Sequence, residues 1–193
     1  MRSNEVSALS WPATAPRWGR VVLRRFRAED VDAVVELSHD PYVPQVTTLV
    51  ARATGQQAAE WIARQNTRLA EGVGFSFAIA DARSGDALGQ IGLWLKDIRE
   101  GRTSAGYAVL PRARGRGVAS DALSALTTFA WTIAEVHRIE VHIEPWNTGS
   151  IRTAERAGYE REGLLRSFME IGGSRRDLVL YAAIRDAGPS RRA

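Results

Sequence analysis

Hydrophobic and polar residues follow two different periods along this chain, and the two periods predict helices and strands in succession. Apolar residues at three- and four-residue spacing, with start and stop signals, predict helices over residues 28–38, 55–72, 118–133 and 147–157. Alternating or continuous apolar runs predict strands over residues 20–26, 75–80, 87–95, 103–110 and 138–144, then a hairpin turning at Gly172 and Gly173. This order predicts an α+β single domain in which about four helices flank a central mixed, twisted sheet of about seven strands.

Short polar motifs mark the ends of the predicted helices. Thr54 and Gln57 have the spacing of a capping box, which would start the second helix. Asn147 occupies the N-cap position of the last helix, and Gly158 lies where a glycine often ends a helix. These signals place a strand, a turn and a short helix in direct succession over residues 138–158.

A glycine-rich run over residues 110–119 joins a predicted strand to a predicted helix. Gly115 and Gly117 lack a Cβ, so the backbone there can approach a ligand closely, while Arg114 and Arg116 add positive charge. A helix N-terminus presents unpaired N–H groups and a positive dipole end, which favours a pyrophosphate. The run has neither the Gly-Lys-Ser/Thr ending of a P-loop nor the third glycine of a dinucleotide site. An ordinary tight turn with two solvated arginines is the alternative.

Composition agrees with one globular domain of ordinary usage. The chain has 193 residues, of which 45% are hydrophobic and 25% charged. We expect a loose N-terminal arm over residues 1–17, the folded domain over 18–186 and a flexible tail over 187–193. The net charge is +4, which fits a phosphate-rich cofactor better than direct nucleic-acid recognition, since no aromatic platform is interleaved with basic residues.

Several function classes are excluded or disfavoured by residue content. The chain has no cysteine, which excludes disulfides and thiol catalysis. His39, His137 and His142 do not have the spacing of metal ligands, so we expect no metal site. No apolar run approaches the ~18 residues that span a membrane, and the N-terminus lacks the apolar centre of a signal peptide. We therefore expect a cytoplasmic protein.

Other motifs join the glycine loop, and together they resemble one superfamily. They are Leu-Arg-Arg-Phe at 23–26 with Glu29 and Asp30, and the segments 89–93, 106–111, 114–119, 147–150, 157–159 and 162–163. With them, about residues 21–184 resemble the GNAT superfamily of N-acetyltransferases, and within it the RimJ/RimL-like group that acetylates ribosomal-protein N-termini. The resemblance implies that the strands at 103–110 and 138–144 are parallel and splay apart, and that acetyl-CoA lies in the wedge between them.

The resemblance also implies which residues hold acetyl-CoA. The pantetheine arm would pair with the backbone of Ala108, Val109 and Leu110 as a partial extra strand. The pyrophosphate would lie on the loop formed by Arg114, Gly115, Arg116, Gly117, Val118 and Ala119. Asn147 would hold the pantetheine side, and Arg152 or Arg156 would reach the 3′-phosphate of the adenosine.

In the reaction implied by the resemblance, a neutral amine attacks the acyl thioester directly. A backbone N–H near Val109 would stabilise the developing oxyanion, and Ser150 would donate to the leaving thiolate. Many relatives carry a tyrosine on this helix, at the position where this chain has Ala154. Where many relatives carry a glutamate two residues before Gly-Tyr, this chain has Ser104. Glu144 is therefore our first candidate for the base, and His142 is the weaker one.

The predicted acceptor site is built from the first two helices, their connection and the hairpins. Its candidate lining residues are Tyr42, Val43, Gln45, Val46, Thr47, Trp61 and Trp94. The acceptor would be a protein N-terminal amine or a small-molecule amine. Two alternatives stay open: a donor other than CoA, such as aminoacyl-tRNA, and a non-catalytic acyl-CoA-binding module. An unpaired edge at the terminal hairpin would also suit a homodimer.

Overall fold

The computed structural model describes residues 9–185, which form one eight-stranded sheet and five α-helices. The strands are β1 (Arg17–Trp18), β2 (Val21–Arg24), β3 (Gly74–Asp81), β4 (Ala87–Trp94), β5 (Arg102–Val109), β6 (Arg138–Ile143), β7 (Glu160–Ile171) and β8 (Ser174–Ile184). The helices are α1 (Val31–Ser38), α2 (Val43–Val46), α3 (Gly55–Thr67), α4 (Val118–Ala130) and α5 (Thr148–Arg156). This architecture confirms the predicted α+β fold with a mixed sheet.

The sheet has the order β1-β2-β3-β4-β5-β6-β8-β7, and its one parallel pairing joins β5 to β6. That pairing covers only three residues of β5, from Arg102 to Ser104, although β5 continues to Val109. Beyond Ser104 the two strands separate, while β5 stays paired with β4 and β6 stays paired with β8. The predicted splay of parallel strands is therefore present, and it opens a wedge in the middle of the sheet.

Helices cover the two faces of the sheet unequally. Helix α4 packs on one face, where Phe129 meets Phe75 and Phe77 edge to face. Helices α1 and α3 cover the other face over β3 and β4, and the Ser76 hydroxyl there donates to Oε1 of the buried Gln65. We call this second face the α3 face. Its continuation over β5 and β6 borders the wedge.

A buried ion pair joins the arginine at the end of β2 to the acidic residue just before α1. Arg24 donates two bonds to Asp30, at 2.7 and 2.8 Å, and the Arg27 amide donates to the same carboxylate. Arg24 also donates to the Gly85 carbonyl, in the turn between β3 and β4. These bonds fix the start of α1 against the sheet.

Two short elements raise the observed numbers above the seven strands and four helices predicted. Strand β1 has two residues, and α2 is a single turn, so neither is long enough to show a period in the sequence. Helix α3 is also shorter than predicted, because the chain relaxes into turns over residues 68–72. Gly72, at φ +71°, closes them, and the Val73 amide donates to the Arg68 carbonyl.

The N-terminal segment is packed from Leu9 onward, in contrast to the loose arm expected over residues 1–17. Trp11 meets Phe75 and Phe77 edge to face, and the guanidinium of Arg25 lies 4.5 Å from its ring. Burial of this indole holds the segment on the sheet. The tail expected over residues 187–193 lies outside the described residues.

Candidate active site

Backbone groups of β5 line one side of the wedge. The Leu110 amide donates to the Leu88 carbonyl at 2.9 Å, and Ala108 is registered with Gln90 of β4. Because backbone groups alternate in direction along a strand, those of Tyr107 and Val109 face the opposite edge, where the ladder to β6 has ended. A pantetheine arm would therefore meet the backbone of Tyr107 and Val109, of which the Val109 carbonyl already accepts from Nε of Arg114. The backbone groups of Ala108 and Leu110, two of the predicted pantetheine partners, are already hydrogen-bonded to β4.

The glycine loop ends at the N-terminus of α4, where no side chain of the described residues covers the backbone. Gly115 and Gly117 have φ of +73° and +81°, and a Cβ added at either would have no atom within 4 Å. Gly117 is the N-cap, and no side chain caps this helix end. Within residues 9–185, the amides of residues 115–120, including those of Val118 and Ala119, have no hydrogen-bond acceptor. This cradle fits a pyrophosphate.

The guanidinium of Arg114, predicted to lie at the pyrophosphate, forms an ion pair with Asp40. Its Nη2 lies 2.6 Å from Oδ2 of Asp40, and its Nε donates to the Val109 carbonyl at 2.9 Å. Burial alone would raise the pKa of Asp40, but Arg114 and the amides of Val43 and Tyr42 hold it below its usual value. Arg114 thus points to the end of β5, whereas Arg116 remains exposed beside the loop amides.

The first turn of α5 lies on the other side of the wedge. Asn147 caps the helix as predicted, its Oδ1 accepting from the Ser150 amide at 3.1 Å. The Tyr107 hydroxyl of β5 donates to the Ser150 carbonyl at 3.2 Å, and burial raises the pKa of that hydroxyl. Ser150 is half-buried, and its side chain also interacts with the Tyr107 hydroxyl, which offsets part of the effect of burial on that pKa. Arg152 and Arg156 lie exposed on the outer side of the helix.

Glu144 is buried at the mouth of the wedge, with 4% of its surface exposed. Its Oε1 is 3.7 Å from Nε of Arg176, and its carboxylate accepts a hydrogen bond from the Tyr42 hydroxyl. Burial and the Glu144 carboxylate raise the pKa of Tyr42. The Asn147 side chain offsets part of this shift. Tyr42 also meets Trp146 edge to face, at 5.0 Å between ring centroids. The connection between α1 and α2 therefore bridges the wedge mouth.

The residues predicted to line the acceptor site do not all lie there. Trp61 is 2% exposed, packs on Phe26 and donates to Thr48, so it belongs to the core. Val43 is also a core residue, at 4% exposed. Tyr42 and Gln45 do lie on the same side of the wedge, and Gln45 is close to Gly172 in the β7–β8 turn.

Trp94 lies on the α3 face beside the wedge. A Cβ added at Gly92 or Gly106 would come within 3.2 Å of its ring, so the two glycines leave room for a flat indole on the sheet. Trp94 is half-buried, which suits a wall of the predicted acceptor site. A second aromatic residue, Phe168, stacks on His142 on the same face. The sequence gives no signal for this pair, because a bulge in β7 brings Phe168 there.

Over residues 9–185, none of the helices is long and apolar enough to cross a bilayer. In the same range, no three His, Asp or Glu side chains are grouped so that they could hold a metal ion.

Known proteins with similar sequences and structures were compared with the chain. A model of the acetyltransferase (GNAT) domain family matches residues 20–160. The uncharacterized N-acetyltransferase p20 of Bacillus licheniformis is 28% identical over 166 residues, which are 86% of this chain and 93% of p20. The ribosomal protein uS5 alanine N-acetyltransferase of Escherichia coli is 32% identical over 77 residues, 40% of each chain.

The fold has solved counterparts. Mycobacterium smegmatis RimJ, solved with a CoA disulfide, superposes with a TM-score of 0.77 at 24% identity and covers 93% of this chain and 90% of its own. At this identity the likeness concerns the fold. It places the splayed sheet and the glycine loop of this chain in an architecture that has been solved with coenzyme A.

Proposed function

We propose that this chain, which belongs to the GNAT acetyltransferase family, transfers an acetyl group from acetyl-CoA to the primary amine at a protein N-terminus. The observation that carries the proposal is the continuous backbone path through the wedge. The free edge of β5 at Val109 leads to the amides of residues 115–120, which lack acceptors in the described part of the chain. A pantetheine arm and a pyrophosphate have the hydrogen-bonding groups that this path requires.

The residues of the wedge supply three functions that thioester aminolysis needs. The Val109 N–H faces the wedge and would stabilise negative charge on the carbonyl oxygen. Ser150, in the first turn of α5, would donate a hydrogen bond to the departing sulfur. Arg116 and the loop amides would neutralise the pyrophosphate, and the exposed Arg152 and Arg156 remain our candidates for the 3′-phosphate.

The acceptor proposal follows from the relatives and from the shape of the site. One relative is named for acetylating the alanine N-terminus of a ribosomal protein. In this chain the half-buried Trp94 lies on the α3 face beside the wedge, where its indole would form a wall for an extended peptide end. The aminoacyl-tRNA donor and the homodimer stay predictions from the sequence alone.

The first experiment is calorimetric titration with acetyl-CoA, with dephospho-CoA as the comparison for the two arginines. Micromolar binding supports the cofactor site, and no binding by the folded protein overturns it. Transfer is then followed by mass spectrometry on peptides with a free alanine or serine N-terminus. Matched peptides with a blocked N-terminus, and spermidine as a small amine, are the controls. Acetylation of spermidine alone would exclude the peptide acceptor but keep the acyl transfer.

A further inference from the structure

A polar pair lies on the α3 face at the point where β5 and β6 separate. Glu140 is registered with Ser104 in the last pair of the parallel ladder, and His142 follows on the same face of β6. Nε2 of His142 is 3.8 Å from Oε2 of Glu140, and both side chains are about one-fifth exposed, at 21% and 17%. Ser104 itself carries no ionisable group, and Glu140 supplies a carboxylate on the strand directly beside it.

A bulge in β7 holds the imidazole of His142 in place. The register between β7 and β8 shifts between Leu165 and Met169, and Ser167 takes a φ of +51°. Its amide donates to Oδ1 of Asp177 at 2.7 Å, which stabilises this unfavourable conformation. The bulge brings Phe168 onto His142, with ring centroids 5.1 Å apart and planes at 10°. Phe168 covers one face of the ring, and 21% of the His142 side chain stays exposed.

We propose that His142 accepts the proton of the acceptor ammonium and that Glu140 is its positioning residue, on the premise of the proposed function. Glu140 faces Nε2, so Nδ1, which has no partner within residues 9–185, takes the proton. The lone pair left on the amine nitrogen forms the C–N bond with the thioester carbonyl carbon. The C–S bond breaks, and the thiolate takes the second proton from the nitrogen. The imidazolium then loses its proton to water.

Glu144, the first candidate from the sequence, is less suited to this function. Its carboxylate is 4% exposed, and it is already engaged by Tyr42 and Arg176. A proton acceptor needs a free lone pair within hydrogen-bond reach of the amine or of one bridging water, and these two partners occupy the carboxylate. We therefore assign Glu144 a positioning role: it holds the Tyr42 hydroxyl in place.

Burial, more than the charges around it, keeps His142 in its neutral, proton-accepting form. Burial lowers the pKa of His142, Glu140 opposes that shift, and Arg138 adds to it. Arg138 is itself bound by Glu140 and by Glu162 of β7. The other charged pair near this face is Glu144 with Arg176 of β8. The net shift is downward, so the imidazole is neutral at pH 7.

The test compares wild type, His142→Gln and Glu140→Gln, with acetyl-CoA and a peptide bearing a free N-terminal alanine as substrates. We expect His142→Gln to lower kcat by ~100-fold or more, with unchanged acetyl-CoA affinity. The acidic limb of kcat/KM, below pH 6.5, should disappear in this variant. In Glu140→Gln the limb should move to lower pH, because the charge that raises the pKa of His142 is gone. If Glu140 only stabilised the fold, Glu140→Gln would not shift the acidic limb of the kcat/KM profile.

The control is His137→Gln, an exposed histidine at the other end of β6, which should leave the profile unchanged. Folding of each variant is checked by circular dichroism and by its acetyl-CoA affinity. An unaltered rate and acidic limb in His142→Gln, with an active wild type, would overturn this inference alone. A wild type that acetylates neither the peptide nor spermidine would overturn the proposed function, and this inference with it.

Discussion

The guanidinium of Arg114 lies 2.6 Å from the carboxylate of Asp40, 74 positions earlier in the chain. The other oxygen of Asp40 accepts the amides of Tyr42 and Val43 at 2.8 and 3.0 Å, which starts α2. Arg114 also holds the Val109 carbonyl at the end of β5. One ion pair therefore ties the glycine loop, the acyl-CoA edge of the sheet and the bridge over the wedge to each other.

We expect Asp40 and Arg114 to be energetically coupled. A double-mutant cycle of Asp40→Asn and Arg114→Gln, measured by urea unfolding, should give a coupling free energy of ~1 kcal/mol. Arg114 is 49% exposed, so solvent screening limits the value, while Asp40 is 7% exposed. The neighbouring pair of Arg112 and Glu36, exposed on both sides, is the control and should couple much less. Equal coupling in the two pairs would contradict the special position of Asp40.

The glycine loop should be intolerant of a side chain at Gly117 for a reason unrelated to folding. Gly117→Val would project into the anion cradle and abolish acetyl-CoA binding, as measured by calorimetry. The positive φ costs ~1–2 kcal/mol of stability in any branched residue. Gly72→Val is the matched control, because Gly72 has a similar φ of +71° and open space, at the other end of the sheet. Unchanged affinity in Gly117→Val would exclude the pyrophosphate assignment.

Local signals in the sequence were sufficient to predict the helix starts, and the family resemblance predicted the wedge. The capping residues Thr54 and Asn147 both make the predicted bonds, since a cap depends only on residues within one turn. The splay of β5 from β6 follows from the resemblance of the motifs around them. Because proteins with these motifs share one fold, the resemblance predicts a parallel pairing that no local pattern could show.

The contacts that the sequence did not predict involve partners that are far away in the chain. The position of Trp61 depends on Phe26, and that of Arg114 depends on Asp40, which no local pattern encodes. The backbone direction at Val109 depends on its register with β4, and a shift of one residue would reverse it. Phe168 reaches His142 only through a bulge. These relationships are set by tertiary packing, which periodicity does not report.

The ion pair of Arg24 and Asp30 should make stability depend on pH. Burial raises the pKa of Asp30, but hydrogen bonds from Arg24 and the Arg27 amide outweigh it, and the pKa falls below 3.8. A depressed pKa stabilises the folded state above the unfolded-state value, and the contribution is lost as the pH falls through the folded-state pKa. Asp30→Asn should cost ~3 kcal/mol at pH 7, because Arg24 stays buried without its partner.

This difference between wild type and Asp30→Asn should shrink below about pH 4, as the wild-type carboxylate becomes protonated. Urea unfolding at several pH values measures it. Glu29→Gln, one residue earlier and exposed, is the control and should follow the wild type. A constant difference down to pH 2 would mean that Asp30 acts through packing and not through its charge.

Replacing Ser150 should affect chemistry and not binding. Ser150→Ala keeps the backbone amide that donates to Asn147 and the backbone carbonyl that accepts from Tyr107, so the helix start is preserved. We expect kcat to fall ~10- to 100-fold with unchanged acetyl-CoA affinity, because the donor to the leaving sulfur is lost. Ser124→Ala, a half-buried serine of α4, should be silent. An unchanged kcat in Ser150→Ala would remove Ser150 from the reaction.

Tyr42 should control access of the acceptor through its hydroxyl. The pKa of that hydroxyl is raised by burial and by Glu144, so it stays protonated and donates to the carboxylate throughout the physiological range. Tyr42→Phe leaves the buried Glu144 with Arg176 alone, 3.7 Å away, and removes the bond that closes the wedge mouth. We expect KM for the acceptor peptide to rise several-fold, with a loss of ~1 kcal/mol of stability. Steady-state kinetics and urea unfolding measure the two effects.

A matched tyrosine separates this effect on the acceptor from a general loss of stability. The Tyr181 hydroxyl donates to Oε1 of Glu155 at 3.2 Å, so Tyr181→Phe removes the same kind of bond. That bond joins β8 to α5 on the face away from the acceptor site. Tyr181→Phe should therefore lower stability by a similar amount and leave KM unchanged. Equal changes in KM for both variants would mean that Tyr42 only stabilises the fold, and the bridge over the wedge would then have no part in acceptor binding.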